Sequence, residues 1–285
     1  MGLSRNNSIE ANDTEAKIAE LRNLSQDILL ESKEMNNDFV LLRFLRACDW
    51  DIKKAKAMMS NAAKWRVEND VDSLIYKEPP VHLLEKMPIY IDGFTNDGLL
   101  VASVEAGKID FRALLNELGK KQIVEVATQS FAQAEKVLLD QNEKYFKNQR
   151  LTKESFMGAI VILDFKGFSY WQLQSLKCVQ LSIELCQMMV NYFPDLGSHL
   201  ICINCNRVSR MFLKIVKPIV ESPSLKIEVF GEKQDEWSQV VLANVQADQL
   251  RVPFGGSKTE KFVFITPECL IPPHLRNSES AVETC

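Results

Sequence analysis

Residues 159–165 read AIVILDF, residues 200–204 LICIN and residues 226–230 KIEVF. Each is a short apolar run rich in β-branched side chains, and such runs predict strands. Residues 170–192 and 208–219 separate them with apolar side chains at helical spacing, and residues 236–242 add a helix after the third run. Strands joined through helices of this length need crossover connections, which build a mostly parallel sheet. Working outward, residues 89–91 and 99–104 read as two further strands with a turn at Asn96-Asp97-Gly98 between them. Asp110 caps a short helix carrying Phe111, Leu114, Leu115 and Leu118, and a long helix follows over 122–146. The expectation is an α/β domain with a mostly parallel mixed sheet of about five strands.

Upstream of a break at Pro79-Pro80 the period is helical throughout. Thr14 opens a pattern with Ile18, Leu21, Leu24, Ile28 and Leu29, capped by Asp13 or Thr14. Asn37 and Asp38 cap a helix over 39–47, and Asp51 caps a third through Ile52, Ala55, Met58, Met59, Ala62 and Trp65. The domain boundaries expected are a loose polar N-terminus over 1–12, a three-helix unit over 13–75, the α/β domain over 76–257 and a tail over 258–285.

A chain of 285 residues can bury about 75% of its unfolded surface. With 46% hydrophobic and 25% charged residues and only 11 Gly and 10 Pro, it is neither a disordered nor a fibrous composition. A formal net charge of −4 argues against whole-protein nucleic-acid binding. The longest apolar stretch, 156–163, is far below the ~18 residues a bilayer span needs. No apolar secretory region follows Met1, and Asn6 stands where an N-myristoylation motif has Ser or Thr. Seven scattered cysteines, Cys285 at the very end among them, fit reduced thiols and a cytoplasmic location.

Catalytic constellations are missing. His82, His199 and His274 lie far apart, so neither a metal site nor a general base is supported. Cys202 and Cys205 form a CxxC, but on a strand this odd offset sends the side chains to opposite faces and no second pair completes a four-ligand site. Gly255-Gly256-Ser257-Lys258 lacks the earlier Gly of a phosphate loop, and His199, Cys202 and Arg207 have the wrong spacing for a cysteine phosphatase. No enzyme, metal or cofactor is expected.

One segment stands out. Arg207, Arg210, Lys214 and Lys217 fall on one stripe of a helix whose other face carries Val208, Met211, Phe212, Ile215, Val216 and Ile219. Such a helix can lie on an anionic membrane, where each near-surface cation contributes about 1 kcal/mol. On periodicity alone the preferred reading is a crossover helix that packs its apolar face on the sheet and solvates its charges.

The motifs resemble those of the CRAL-TRIO family, which includes retinal- and tocopherol-binding proteins and phosphatidylinositol exchangers. Leu41-Leu42-Arg43-Phe44-Leu45-Arg46-Ala47 with Ala55 and Lys64-Trp65-Arg66 is similar to the family's helical leader. Asp164-Phe165-Lys166-Gly167 matches its DxxG strand end. Tyr192-Phe193-Pro194-Asp195, Asn204, Lys217-Pro218, Lys226-Ile227, Leu250 and Pro253-Phe254-Gly255-Gly256 follow in family order. The resemblance covers about residues 15 to 257.

It implies an apolar cavity over the sheet, closed by a gate helix that here is the basic amphipathic segment. Sequestering ~16 methylenes is worth roughly 13 kcal/mol, so a dry cavity holds such a ligand without covalent chemistry. Ala159, Val161 and Leu163 on the sheet, with Met211, Phe212, Ile215, Val216 and Ile219 on the gate, are the expected lining. The family's phosphatidylinositol exchangers carry an Arg, two hydroxyl residues and a Glu where this chain has Cys48, Ala159, Val161 and Asp195. Only Asp195 and Lys226 keep headgroup-binding character, so a neutral lipophile is expected: a retinoid, tocopherol, isoprenoid or acyl lipid. The expected partners are that molecule and a transient anionic membrane surface met through Arg207, Arg210, Lys214 and Lys217, with a monomeric protein associating peripherally. A phospholipid exchanger is the alternative, and a membrane- or protein-recruitment module the second.

Overall fold

The structure, a computed structural model, describes residues 2–77, 86–95 and 98–259, with side chains from residue 10 onward. The Pro79-Pro80 break, most of the Asn96-Asp97-Gly98 turn, His82, His274 and the tail with Cys285 lie outside these residues.

The N-terminal unit comprises α1 (Gly2–Leu24), α2 (Gln26–Glu31), α3 (Asp38–Ala47), α4 (Ile52–Glu68) and the single turn α5 (Val71–Leu74). Two caps fall where the sequence puts them. Asn37 accepts from the Phe39 amide, and Asp51 accepts from the Lys53 and Lys54 amides. The first helix does not begin at Thr14. It runs through residues 2–12, which composition alone reads as loose; Ala11 and Thr14 are buried, and Arg150 holds Asn12 and Glu15 from another part of the chain. Tertiary contacts thus hold this helix at residues 11–15.

The sheet has strand order β1-β2-β3-β4-β5 in chain order: β1 (Ile89–Phe94), β2 (Leu100–Val104), β3 (Ala159–Asp164), β4 (Gly197–Ile203) and β5 (Lys226–Val229). β1 is antiparallel to β2, and the other pairs are parallel. Between β2 and β3 runs α6 (Phe111–Tyr145), broken at Gly119, whose φ of 73° and ψ of 164° divide it into the short and long helices expected. Asp110 caps it through the Arg112 and Ala113 amides. α7 (Tyr170–Leu173) and α8 (Leu176–Tyr192) connect β3 to β4, α9 (Arg207–Val220) connects β4 to β5, and α10 (Gln234–Asn244) follows β5.

The two faces of the sheet are covered differently. On one face Val101, Ile160, Ile162, Ile201 and Ile203, all at most 2% exposed, pack with Trp237, Val241, Val245, Leu250 and Phe254 into one closed cluster. Pro253-Phe254-Gly255-Gly256 serves this layer. Gly255 turns at φ 91°, and a Cβ on Gly256 would stand 2.0 Å from the Leu250 carbonyl oxygen. The opposite face carries the site.

Candidate functional site

Strand register builds two apolar rows across the open face. Ile91, Ala102, Val161, Leu200 and Ile227 form one, and Ile89, Val104, Leu163, Cys202 and Val229 the other. Of these ten side chains only Cys202 is fully buried. Central-strand positions such as Val161, Leu163 and Leu200 are half-buried, although their neighbours Ile160, Ile162 and Ile201 on the back face are closed to solvent. Instead of one continuous core, this face meets three separate clusters. Ala159 and Val161 lean on Phe193, Leu196 and the N-terminal unit; Ile89 and Val104 on α6 with Leu181 of α8; Leu163, Leu200 and Val229 on Phe165, Phe168, Leu213 and Val216. The result is a half-buried apolar sheet face with α6, α8 and α9 packed against parts of it.

α9 packs over part of this face, with Leu213 and Val216 in the cluster that holds Leu163, Leu200 and Cys202. Ser209, Leu213 and Val216 are buried, with Val208, Phe212 and Ile219 half-buried beside them. The Phe212 ring lies tilted 5.3 Å from that of Phe168, and Phe212 and Val216 pack in the cluster that holds Cys202. Met211 at 49% and Ile215 at 43% exposure face solvent. The reason is rotational: packing on α8 and the sheet centres the buried arc on Leu213 and Val216, which swings Met211 and Ile215 to the solvent edge beside the cations. Arg207, Arg210 and Lys214 are exposed, whereas Lys217 is half-buried, 3.8 Å from Glu221. On the helices that follow β3, Tyr170, Trp171 and Leu176 are 54–70% exposed, and the Arg112 guanidinium lies 4.4 Å from the Trp171 ring centroid. Residue-by-residue reading of α9 alone missed these aromatics; an unmatched Tyr-Trp pair in a one-turn helix was the available signal.

The possible headgroup residues are separated and already engaged. Asp195 lies 3.0 Å from Arg46 Nε and accepts a hydrogen bond from Ser224. Burial pushes its carboxyl up, with Arg46 and Ser224 pulling the other way. Lys226 shares a register position with His199, on the sheet face opposite Val161, and pairs at 2.7 Å with Glu228. His199 is buried and also meets Glu228, at 2.6 Å.

Charge at the seam between the N-terminal unit and the α/β domain was legible only in part. Arg43 and Arg66, both in the leader motif, grip the buried carboxylate of Glu135 on α6 at 2.8 and 2.7 Å. Burial opposes Glu135 ionisation, yet the two guanidiniums outweigh it and hold the carboxyl below its ordinary value. Glu135 itself carries no sequence signal. A cavity of about 120 Å³ lies beside this pair, lined by Phe44, Arg66, Asp72 and Glu135 among others. That is smaller than the ~150 Å³ that holds a benzene, and far too small for a lipid.

Asp164 holds the DxxG turn by accepting from the Lys166 amide and Asn204 Nδ2, both at 2.8 Å, while Gly167 adopts φ 86°. Cys202 and Cys205 stand in one cluster under α9, since Cys205 lies past the end of β4, where strand alternation no longer applies. Burial pushes Cys202 up to about 12, and Cys186 and Cys205 up to about 11, so these are protonated thiols. Among the described residues no cluster of three or more His, Cys, Asp or Glu could hold a metal ion, and no helix is long and apolar enough to cross a membrane.

A parallel-rich five-stranded sheet with helices on both faces, one face carrying half-buried apolar rows, behind a helical leader, defines the class of α/β domain. Residues 84–256 match the CRAL/TRIO domain and residues 17–61 the CRAL/TRIO N-terminal domain. The chain belongs to the CRAL/TRIO family of lipid-binding and transfer proteins. It is 29% identical over 258 residues to the SEC14 cytosolic factor of Kluyveromyces lactis, covering 86% of this chain and 78% of that protein. It is 30% identical over 237 residues to the SEC14 cytosolic factor of Eremothecium gossypii, covering 77% and 69%. Protein real-time of Aedes aegypti is 24% identical over 94% of this chain, which corresponds to 40% of that longer protein. The crystal structure of Sfh5 superposes with a TM-score of 0.52 at 14% identity, over 79% of this chain and 82% of Sfh5.

Proposed function

We propose that this protein carries one neutral lipophilic molecule in a cup over the open sheet face and exchanges it at anionic membranes through α9. The observation that carries the reading is the inequality of the two faces: ten apolar positions in register, nine of them short of full burial, beneath a helix whose outer edge pairs cations with Met211 and Ile215. Closed packing is within reach of this chain, as the back face demonstrates, so an open apolar face in the middle of a sheet marks space kept for a ligand. A retinoid, tocopherol, isoprenoid or acyl chain meets its needs, since Asp195 and Lys226 are engaged elsewhere and Ala159 and Val161 offer no hydrogen bond. Membrane contact combines Arg207, Arg210 and Lys214 with Met211 and Ile215, and the exposed Tyr170 and Trp171 suit the headgroup level. The protein acts by binding and release, without catalysis, on the cytoplasmic side.

Native mass spectrometry of protein purified from its own cells tests this. One stoichiometric neutral lipid per chain is the expected result. A bound phosphatidylinositol would replace the neutral-lipid reading with that of a phospholipid exchanger, and protein that is empty and takes up no offered lipid would refute carriage.

A further inference from the structure

Both ends of α9 are tied down, by different means. Its N-terminal end is fixed within the α/β domain: Asn206 caps the Val208 and Ser209 amides, both at 2.9 Å, and donates through Nδ2 to the Phe168 carbonyl at 2.7 Å. The C-terminal end is intrinsically weak. Pro218 lies inside the last turn and has no amide to give to the carbonyl one turn earlier, and the chain leaves through Ser222-Pro223-Ser224 to reach β5. Something outside the helix therefore decides where this end sits.

That restraint comes from the N-terminal unit. Ser224 Oγ donates to the Asp195 carboxylate, Asp195 lies 3.0 Å from Arg46 Nε, and Arg46 belongs to α3. Arg46 is itself fixed, donating through Nη1 to the Phe156 carbonyl at 3.0 Å. One turn earlier on α3, Arg43 donates to the Pro194 carbonyl at 2.8 and 2.5 Å and presents the Pro194-Asp195 turn, where Asp195 holds φ 62°. The side chains of Arg46 and Asp195 are only 13% and 4% exposed, so salt screens this link weakly. A role confined to the 193–196 turn would need Arg43 and Arg46 alone. The contact to Ser224 reaches past that turn to the segment on which the end of α9 hangs.

We propose that Arg46, Asp195 and Ser224 form a strut by which the N-terminal helical unit holds the C-terminal end of α9, making them positioning residues for gate opening. The inference rests on the gating reading above. It assigns the leader unit a part in release, beyond packing against the domain.

Hydrogen–deuterium exchange on the full-length protein tests it without any lipid. Ser224→Ala, which removes one hydroxyl and no charge, should raise amide exchange over residues 214–224 about tenfold, the size expected for losing one charge-assisted hydrogen bond. Exchange in β4 should stay unchanged. Arg46→Ala should act on the same peptides, and the double variant should exceed neither single one, because all three groups act through one link. Release of a pyrene-labelled fatty acid to phosphatidylcholine vesicles should accelerate by a similar factor. Wild-type exchange over 214–224 in Ser224→Ala, or additive effects of the two substitutions, would overturn the strut. Faster amide exchange in a protein that binds no lipid would support the strut and count against the carrier reading. If Arg46→Ala does not fold, Ser224→Ala decides the question alone.

Discussion

Replacing Met211 and Ile215 together by Ser should cut membrane partitioning about thirtyfold without weakening cargo retention in free solution. Burying such a side chain fully is worth about 1.5–3 kcal/mol. Met211 and Ile215 are 49% and 43% exposed, so each has roughly half of that still to gain, about 1 kcal/mol apiece on entering the interface. Their joint loss of ~2 kcal/mol corresponds to the thirtyfold figure, at tenfold per 1.4 kcal/mol. Arg207, Arg210 and Lys214 contribute about 1 kcal/mol each near an anionic surface, so Arg210→Gln with Lys214→Gln should weaken binding by a similar factor. The two variants part company in salt. The Ser variant keeps the wild-type salt dependence, whereas the Gln variant loses most of it. Co-sedimentation with vesicles of mixed phosphatidylcholine and phosphatidylserine over a salt series measures both. Loss of bound lipid from the Ser variant in free solution, with vesicle binding intact, would refute the outward orientation and return Met211 and Ile215 to the cup.

Three further outcomes follow from the same geometry. Glu135→Gln leaves Arg43 buried without a counter-charge and Arg66 with only the exposed Asp72 at 3.6 Å, and should cost about 3–5 kcal/mol, seen as a lowered thermal midpoint. Glu135 has a depressed folded pKa, so its stabilisation is complete above its ordinary 4.5 and is lost as pH falls through the folded value; the gap between wild type and variant must narrow on acidification, and a constant gap refutes the triad's electrostatic role. Val161→Phe should fill the cup and abolish uptake of an offered lipid at a stability cost of at most about 1–3 kcal/mol; retained uptake would remove Val161 from the lining. Burial holds Cys186, Cys202 and Cys205 protonated, so iodoacetamide at pH 8 should label them in folded protein far more slowly than in urea, and equal rates would show that the floor of the cup is open to water.

Much of the fold was readable because its signals are local. Asn37, Asp51, Asp110 and Asn206 each cap the helix that follows, since an Asx side chain needs only the next few amides to do so. The short helix ending near Leu118 and the long one from 122 were separable by their apolar patterns, and the structure places the break between them at Gly119. That Ala159, Val161 and Leu163 share one face of β3 was also legible, because strand alternation puts them there. Their partners Ala102, Val104, Leu200 and Val229 were not, since which residues stand beside Val161 depends on interstrand register.

What the sequence by itself determined is therefore the order and type of the elements, the family, and the presence on residues 207–220 of a cationic edge and an apolar face. Tertiary structure decided how that helix is turned. Its period fixes which residues share a stripe but not which direction faces the sheet, and contact with α8 set Leu213 inward and Met211 and Ile215 outward. Tertiary structure also decided the fate of the charges. Asp195 could have met a headgroup; it meets Arg46 and Ser224, residues 149 positions before it and 29 after, because a buried carboxylate is stabilised by whichever donors the folded chain brings within reach.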